Sequence, residues 1–242
     1  ALVDEQARGE YVVGWIDALA RGRSFGRGIL ESANPSPDGV DAKPRAARSV
    51  PFEFPSLALQ PVTVRLFNQL YFHRIPKRGT DTLMHYSRFQ FPLDAIHRWN
   101  RIYGRRGFHQ FQCVVPPDRA EKTIRLLLEK ISAARTGSFL AVLKSMGPPG
   151  IGYLSFAQPG FTLAVDFPNE PPARPLLAEL ERTAGDAGGR IYLAKDDTVS
   201  AAQFAAMYPS LPQFRSVLER VDATRRFQSD MARRLNIRGD QP

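Results

Sequence analysis

The 242-residue sequence predicts an α+β fold, in which a ferredoxin-like βαββαβ antiparallel sheet is extended by N-terminal strands and carries helices on one face. Four segments have the alternating or continuously apolar pattern of strands, at 107–116, 138–146, 160–168 and 190–194. Two segments, near 118–134 and 173–187, place leucines three and four residues apart, as one helix face requires. These segments follow one another in the order βαββαβ, and a helical tail comes after them.

The N-terminal part supplies further elements. Two short apolar segments, 10–17 and 26–31, are predicted as strands joined by a turn. Five prolines and little periodicity predict a long loop at 33–55. The segment 63–75 has the spacing of one helix face, and 85–94 is interpreted as a strand that ends at its proline.

The predicted helices carry capping residues at their ends. Asp118 and Glu121 have the spacing of the N-cap and N3 residues of the helix at 118–134. Two consecutive glycines end the second helix. Ser200 and Gln203 form a capping box, which predicts that the basic C-terminal tail begins with a helix.

The sequence is basic, with 33 Lys and Arg against 24 Asp and Glu, a net charge of +9 and a pI near 10.0. This charge indicates an anionic partner, which is a phosphorylated substrate, the acidic surface of a membrane or a nucleic acid. We expect the basic clusters to serve phosphate groups, membrane lipids or a neighbouring domain rather than RNA. The clusters are Arg21/Arg23/Arg27, Arg101/Arg105/Arg106 and Arg225/Arg226/Arg233/Arg234.

Other features argue against several classes of protein. Cys113 is the only cysteine, so no disulfide framework is possible, and we expect a reducing, cytoplasmic location with contact at a membrane surface left open. No apolar run approaches the roughly 18 to 20 residues that a membrane-spanning helix needs. The four histidines form no pair with metal-ligand spacing, so we expect no metal site.

Strand alternation predicts a polar face on the sheet. Phe111 and Cys113 share one face of their strand, whereas Gln110 and Gln112 lie on the other. The same reasoning gathers one group of polar residues on the face away from the core: Gln110, Gln112, Lys144, Thr162 and Tyr192. Amides, hydroxyls and an ammonium suit a polyhydroxylated or phosphorylated ligand. A simply solvated outer face of an antiparallel sheet would give the same pattern.

An RNA-recognition module is the competing interpretation of a basic ferredoxin-like sheet. The tripeptide Arg106-Gly107-Phe108 begins like the aromatic signature of such modules. However, the signature belongs on the third strand of the βαββαβ unit, and this segment is the first. The third strand, FTLAVDF, turns its aromatics toward the core side. Nucleic acid is therefore not the expected partner.

Several blocks of sequence are specific enough to carry a resemblance, above all WNRIYG, FTLAVDFP, YLAKD and SDMARRL. Together they resemble the C-terminal substrate domain of FAD-linked oxidases of the vanillyl-alcohol oxidase superfamily, with sugar-lactone oxidases as more distant relatives. The resemblance spans nearly the whole chain. It implies a substrate or cap domain at 1–199 and a helical tail at 200–242 that packs toward a flavin domain.

The resemblance also implies a cofactor and a reaction. FAD would be held mainly by an N-terminal domain that we expect to be absent from these residues, since no glycine-rich pyrophosphate segment occurs in them. The fragment alone is therefore expected to bind FAD poorly and to be inactive. The implied reaction is oxidation of a secondary alcohol of a sugar, sugar phosphate or polyol. The alternative is a non-catalytic basic module that binds an anionic ligand or nucleic acid.

The motifs carry roles over to single residues. Tyr192 and Lys195 of YLAKD would act at the flavin and substrate as catalytic residues, and Lys195 would stabilise developing negative charge. Gln110, Gln112 and Lys144 would bind the substrate. Thr162 and Ala164 would line the same pocket, where a mycobacterial member of the family has asparagine and cysteine. These two departures predict an altered pocket.

Overall fold

The computed structural model describes residues 2–6, 8–37, 43, 46–76 and 79–239. Its strands are β1 (Tyr11–Ile16), β2 (Gly28–Ala33), β3 (Arg48–Ser49), β4 (Ile96–His97), β5 (Phe108–Val115), β6 (Ala141–Met146), β7 (Gly160–Pro168) and β8 (Arg190–Ile191). Its helices are α1 (Leu2–Gln6), α2 (Pro61–His73), α3 (Tyr86–Gln90), α4 (Pro117–Ala134), α5 (Ala173–Asp186), α6 (Ala201–Met207), α7 (Leu211–Val221) and α8 (Asp230–Arg234).

Six strands form one sheet in the order β2-β1-β6-β7-β5-β8, and every neighbouring pair is antiparallel. The elements β5-α4-β6-β7-α5-β8 are the predicted βαββαβ unit, and β1 and β2 extend its sheet beyond β6. The predicted fold class is therefore confirmed. The two residues of β3 pair with β4 in a separate parallel ribbon, within the 33–55 segment predicted as loop. Part of that segment, 38–42 and 44–45, lies outside the described residues.

Helices α4 and α5 cover one face of the sheet and form the core with it. Phe111 and Cys113 of β5 and Leu163 of β7 point into this core and are at most 2% exposed. The C-terminal helices join the same core, where Phe204 and Leu235 are fully buried. This arrangement follows from the apolar stripe of each helix and the alternation of each strand, which leave the other sheet face for polar side chains.

Helix α2 lies against that other face, at the β1 side of the sheet. The ring of Tyr71 lies 4.7 Å from that of Trp15 between centroids, and Phe67 contacts Phe139 at 5.1 Å. Trp15 pairs across strands with Val142, which places its ring on the face opposite the core. One end of the polar face is thus bordered by an aromatic wall.

The strand predicted at 85–94 is wrong, because residues Tyr86–Gln90 form the short helix α3. The imidazole of His85 accepts a hydrogen bond from the backbone N–H of Ser87 and thereby caps this helix locally. Five residues are too few for the 3.6-residue repeat to reveal itself in the sequence.

The predicted N-cap of α4 is also wrong. The helix begins at Pro117, with Pro116 as N-cap and no side-chain cap, because proline at the first helical position needs no N–H partner and has a helical φ. Asp118 instead lies in the first turn, where a negative charge is favourable. The capping box of Ser200 and Gln203 is confirmed at the start of α6.

The last strand is shorter than predicted. Only Arg190 and Ile191 form β8, and residues Leu193–Lys195 form a 3₁₀ helix. The backbone N–H of Lys195 donates to the carbonyl of Tyr192 at 2.9 Å, so the chain turns instead of continuing along β5. This turn fixes where Lys195 stands relative to the sheet.

Candidate substrate-binding face

The strand register brings the predicted substrate residues together. Gln112 pairs with Ala164, which pairs with Val142 on its other side, and Lys144 pairs with Thr162. Residues paired across antiparallel strands project from the same face. We call the open side of the sheet the polar face, and it comprises Gln110, Gln112, Lys144, Thr162, Ala164 and Asp166, together with the adjoining Tyr192 and Lys195.

Both glutamines are held by a neighbour on β7. The Nε2 of Gln112 donates to the hydroxyl oxygen of Thr162 at 3.1 Å, and the Nε2 of Gln110 donates to a carboxylate oxygen of Asp166 at 3.0 Å. Thr162 is only 3% exposed. Thr162 therefore lies beneath Gln112 and supports it, whereas the glutamines themselves are half-buried and can reach a ligand.

Asp166 is a buried carboxylate under the polar face, with 3% of its surface exposed. The hydroxyl of Tyr103 contacts its second oxygen at 2.9 Å and the hydroxyl of Ser138 at 3.0 Å. Burial raises the pKa of Asp166, and the hydrogen bonds from Gln110 and Tyr103 and the charge of Lys195 oppose that rise. Burial and the Asp166 charge likewise raise the pKa of Tyr103, so its phenol stays protonated.

Two ammonium groups stand at this face. Within the described part of the chain, neither Lys144 nor Lys195 forms a hydrogen bond or ion pair through its side chain. Lys144 is exposed, whereas Lys195 is half-buried. Burial lowers the pKa of Lys195, the nearby carboxylate of Asp166 raises it, and the charge of Lys144 lowers it further. Unpaired cations beside one another favour an anion or an electron-rich oxygen between them.

The two aspartates that follow Lys195 form hydrogen bonds and ion pairs with other residues. The carboxylate of Asp196 accepts the backbone N–H groups of Thr198 and Val199 at 2.9 and 2.8 Å and pairs with Arg234 at 2.8 Å. Asp197 pairs with the imidazole of His109 and with Arg174, each at 3.0 Å. Neither carboxylate pairs with Lys195, whose charge interacts instead with those of Asp166 and Lys144 on the polar face.

Aromatic side chains border the face at both ends. Trp15 and Tyr71 form the border near β1, and Tyr192 packs on Phe156 with 4.8 Å between ring centroids. Tyr192 is 36% exposed and lies three residues before Lys195, whose backbone N–H bonds its carbonyl. Apolar walls around polar groups are the usual construction of a site for a small ligand.

Sequence reasoning missed Asp166, Tyr103 and Trp15 as parts of this site. Asp166 could have been found, because it alternates with Thr162 and Ala164 along one strand. Tyr103 and Trp15 carried no such signal, since Tyr103 lies in the 3₁₀ helix Trp99–Tyr103 outside the sheet and Trp15 reaches the face through a long-range strand pairing.

The arginine clusters are partly engaged within the protein. Arg27 pairs with Asp17, Arg101 bonds the carbonyls of Val50 and Pro51, and Arg234 pairs with Asp196. Among the described residues, the guanidinium groups without a hydrogen bond or ion pair in these clusters are those of Arg23, Arg105, Arg106 and Arg226. Much of the clustered charge therefore stabilises loops.

The structure also has two surface cavities, of about 320 and 500 Å³, which contain none of the predicted site residues, although Tyr103 lines the smaller one. The described residues contain no group of three or more metal-ligating side chains. A search of the same residues for a helix long and apolar enough to cross a membrane finds none.

The fold and the polar face together define the class of this protein. It is an α+β domain that presents two amides and two ammonium groups on the open side of its sheet. Residues 161–235, which contain β7 and Lys195, match the D-arabinono-1,4-lactone oxidase family. The chain is 32% identical over 244 residues to decaprenylphosphoryl-beta-D-ribose oxidase of Mycolicibacterium smegmatis, an alignment that covers 96% of this chain and 52% of that protein.

A second relative, described as an uncharacterized protein in the mprA 5' region of Streptomyces coelicolor, is 30% identical over 254 residues. That alignment covers 98% of this chain and 68% of the relative. The chain belongs to the family of FAD-linked sugar and sugar-lactone oxidases. It spans about half the length of the M. smegmatis oxidase.

Proposed function

We propose that this chain is the substrate-binding part of an FAD-dependent oxidoreductase that oxidises a secondary alcohol of a sugar, sugar phosphate or polyol. One observation supports the proposal above all. The ammonium groups of Lys144 and Lys195 form no ion pair with the described residues and lie on the same face as two amides, each of which is held by a hydrogen bond to β7. The family membership and the name of the M. smegmatis relative support the same class of reaction.

The chemistry of each side chain suggests a division of work. Lys144 is exposed at the face and binds a phosphate or another anionic group of the substrate. Gln110 and Gln112 hydrogen-bond the sugar hydroxyls. Lys195, half-buried and close to Asp166, contacts the reacting hydroxyl and stabilises negative charge as it develops there. Tyr192 orients the substrate from the rim.

The residues present fit one edge of a flavin. Lys195 and Tyr192 supply a cation and a hydroxyl at an open surface, which suits the polar edge of an isoalloxazine ring. FAD, when bound, would supply the oxidant that accepts two electrons from the alcohol carbon. We expect the pyrophosphate of FAD to be bound by a second domain, which is this chain's expected partner.

Two positions, Thr162 and Ala164, are expected to influence which substrate is preferred. Ala164 lies between Gln112 and Val142 on the sheet, and its methyl group leaves space where a larger side chain would fill the face. Thr162 acts through its hydrogen bond to Gln112. We therefore expect the preference among sugars to differ from that of relatives with other residues at these two positions.

The test is anaerobic reduction of a flavin-loaded enzyme that contains this chain. Sugar phosphates, aldonolactones and polyols are mixed with it in turn, and loss of the oxidised flavin absorbance is followed by stopped flow. Reduction by at least one hydroxylated substrate is expected, with a ketone or lactone as product. Tight binding of a phosphorylated sugar without any flavin reduction would contradict the proposal and favour a non-catalytic anion-binding module.

A further inference from the structure

The buried Asp166 touches no substrate in the reaction proposed above, yet it contacts Gln110, one of the two amides proposed to bind the substrate. It pairs with Gln110 across β5 and β7, so both side chains project from the same face. One carboxylate oxygen accepts from Gln110, and the other lies 2.9 Å from the hydroxyl of Tyr103. Only 3% of Asp166 is exposed, so no ligand need touch it.

A carboxylate can only accept hydrogen bonds, and this decides how the amide of Gln110 is turned. Its NH₂ group must face Asp166, because the reverse orientation would place two electron-rich oxygens against each other. No donor among the described residues bonds to the Gln110 carbonyl oxygen. That oxygen is therefore the end of the amide that remains for a ligand.

We propose that Asp166 is a positioning residue that holds Gln110 with its carbonyl oxygen toward the ligand, so that this position of the site selects a hydroxyl donor. The identity of the ligand rests on the proposed function, whereas the orientation of Gln110 does not.

The support beneath Gln110 is itself rigid. Tyr103 is 4% exposed, stacks on Phe108 with ring centroids 4.1 Å apart and bonds Ser138 through its hydroxyl. The backbone N–H of Ser138 donates to the carbonyl of Asp166 at 2.8 Å. Such a held carboxylate cannot turn away to let the amide flip. Gln112 lacks this constraint, because the hydroxyl of Thr162 can either donate or accept.

A pair of probes isolates the hydroxyl contact. D-ribose 5-phosphate and tetrahydrofurfuryl phosphate share a ring and a phosphate, but the second lacks the ring hydroxyls. We expect the wild-type chain to bind the first more tightly in calorimetry. Asp166→Leu, which removes both acceptor oxygens, should weaken binding of ribose 5-phosphate about tenfold, the scale of one hydrogen bond to a well-held acceptor. Binding of tetrahydrofurfuryl phosphate should change less than about twofold.

A conservative variant separates positioning from charge. Asp166→Asn loses the charge but keeps a carbonyl oxygen that can accept from Gln110, so it should retain most of the preference for ribose 5-phosphate. If Asp166→Asn is as impaired as Asp166→Leu, Asp166 acts through its charge and the positioning role is wrong. Asp197→Asn, the same change at an exposed carboxylate, is the matched control and should bind as the wild type does.

A measurement without ligand keeps the inference testable even if Asp166→Leu does not fold. In the wild-type protein, the side-chain amide protons of Gln110 should exchange with water at least about tenfold more slowly than those of free glutamine, because they are bonded to Asp166. Free exchange would overturn the inference. Slow exchange without any binding of either phosphate would leave the positioning of Gln110 standing and would instead overturn the proposed function.

Discussion

Hydrogen bonds join α2 to the residues that connect β1 and β2, and substitutions in this group test what stabilises the border of the polar face. Asp17 is 3% exposed, and Arg27 donates to its Oδ2 from two nitrogens at 2.9 and 2.7 Å. Asn68 of α2 donates to the other oxygen at 2.7 Å. Arg27→Met keeps an unbranched aliphatic side chain but removes the guanidinium, which lies 5.2 Å from the centroid of the Phe72 ring, and so leaves a buried carboxylate without its cation.

Removal of one partner of such a buried pair costs about 3 to 5 kcal/mol. For a chain of this size, that loss lowers Tm by on the order of 10 °C. We expect the lower end of the range, since Asn68 still bonds the carboxylate. Differential scanning calorimetry and guanidinium unfolding measure the change directly.

Two further variants decide whether the uncompensated charge is the cause. Arg74→Met breaks a pair with Glu31 in which both side chains are 42% exposed, so it should cost less than about 1 kcal/mol. Adding Asp17→Asn to Arg27→Met removes the stranded charge and should recover part of the lost stability. Equal losses from Arg27→Met and Arg74→Met, or no recovery in the double variant, would refute the reasoning.

Three other predictions concern single titratable groups. Lys195→Ala should slow flavin reduction by on the order of 100-fold in the flavin-loaded enzyme, because it removes a stabiliser of developing charge, and wild-type stopped-flow rates would exclude Lys195 from the reaction. Asp166→Asn removes the charge that raises the pKa of Lys195, so the alkaline limb of the pH–rate profile should move to lower pH; an unmoved limb would contradict this. Burial raises the pKa of Glu181 to about 7. The folded state therefore binds its proton more tightly than the unfolded state, and stability should fall as pH rises from about 4.5 through 7. Glu181→Gln should remove a loss of about 2 to 4 kcal/mol between pH 5 and pH 8 in denaturant titrations, whereas an unchanged pH dependence would show that Glu181 is not its source.

The polar face could be predicted because alternation along a strand depends on the local chain alone. Once β5 and β7 are recognised, Gln110 and Gln112 must share a face, and the register then adds Lys144 opposite Thr162. Lys195 could not be placed in this way, because its position depends on the 3₁₀ turn that ends β8. Only the resemblance of its motif identified it.

The parts that sequence reasoning missed depend on contacts between distant segments. Trp15 and Tyr71 meet only because β1 joins the sheet next to β6 and α2 then packs against it. Arg27 looked like a member of a basic surface cluster, yet its guanidinium pairs with a buried aspartate. Neither the sheet order nor the burial of Asp17 is encoded in a local pattern, so composition and spacing could not assign these residues.

The alternation that made the face predictable also separates recognition from stability. Most of the predicted site residues of β5 and β7 are flanked along their strand by core residues that point the other way, such as Cys113 and Leu163, which are fully buried. We therefore expect a change at Ala164 to alter the ligand preference without altering the packing against α4 and α5. Thr162 and Asp166 differ from it, since both are only 3% exposed, and Asp166 is also bonded on both oxygens. A substitution at Asp166 is therefore expected to affect ligand binding and folding together, and for this reason the variants need the amide-exchange measurement on the wild-type protein beside them.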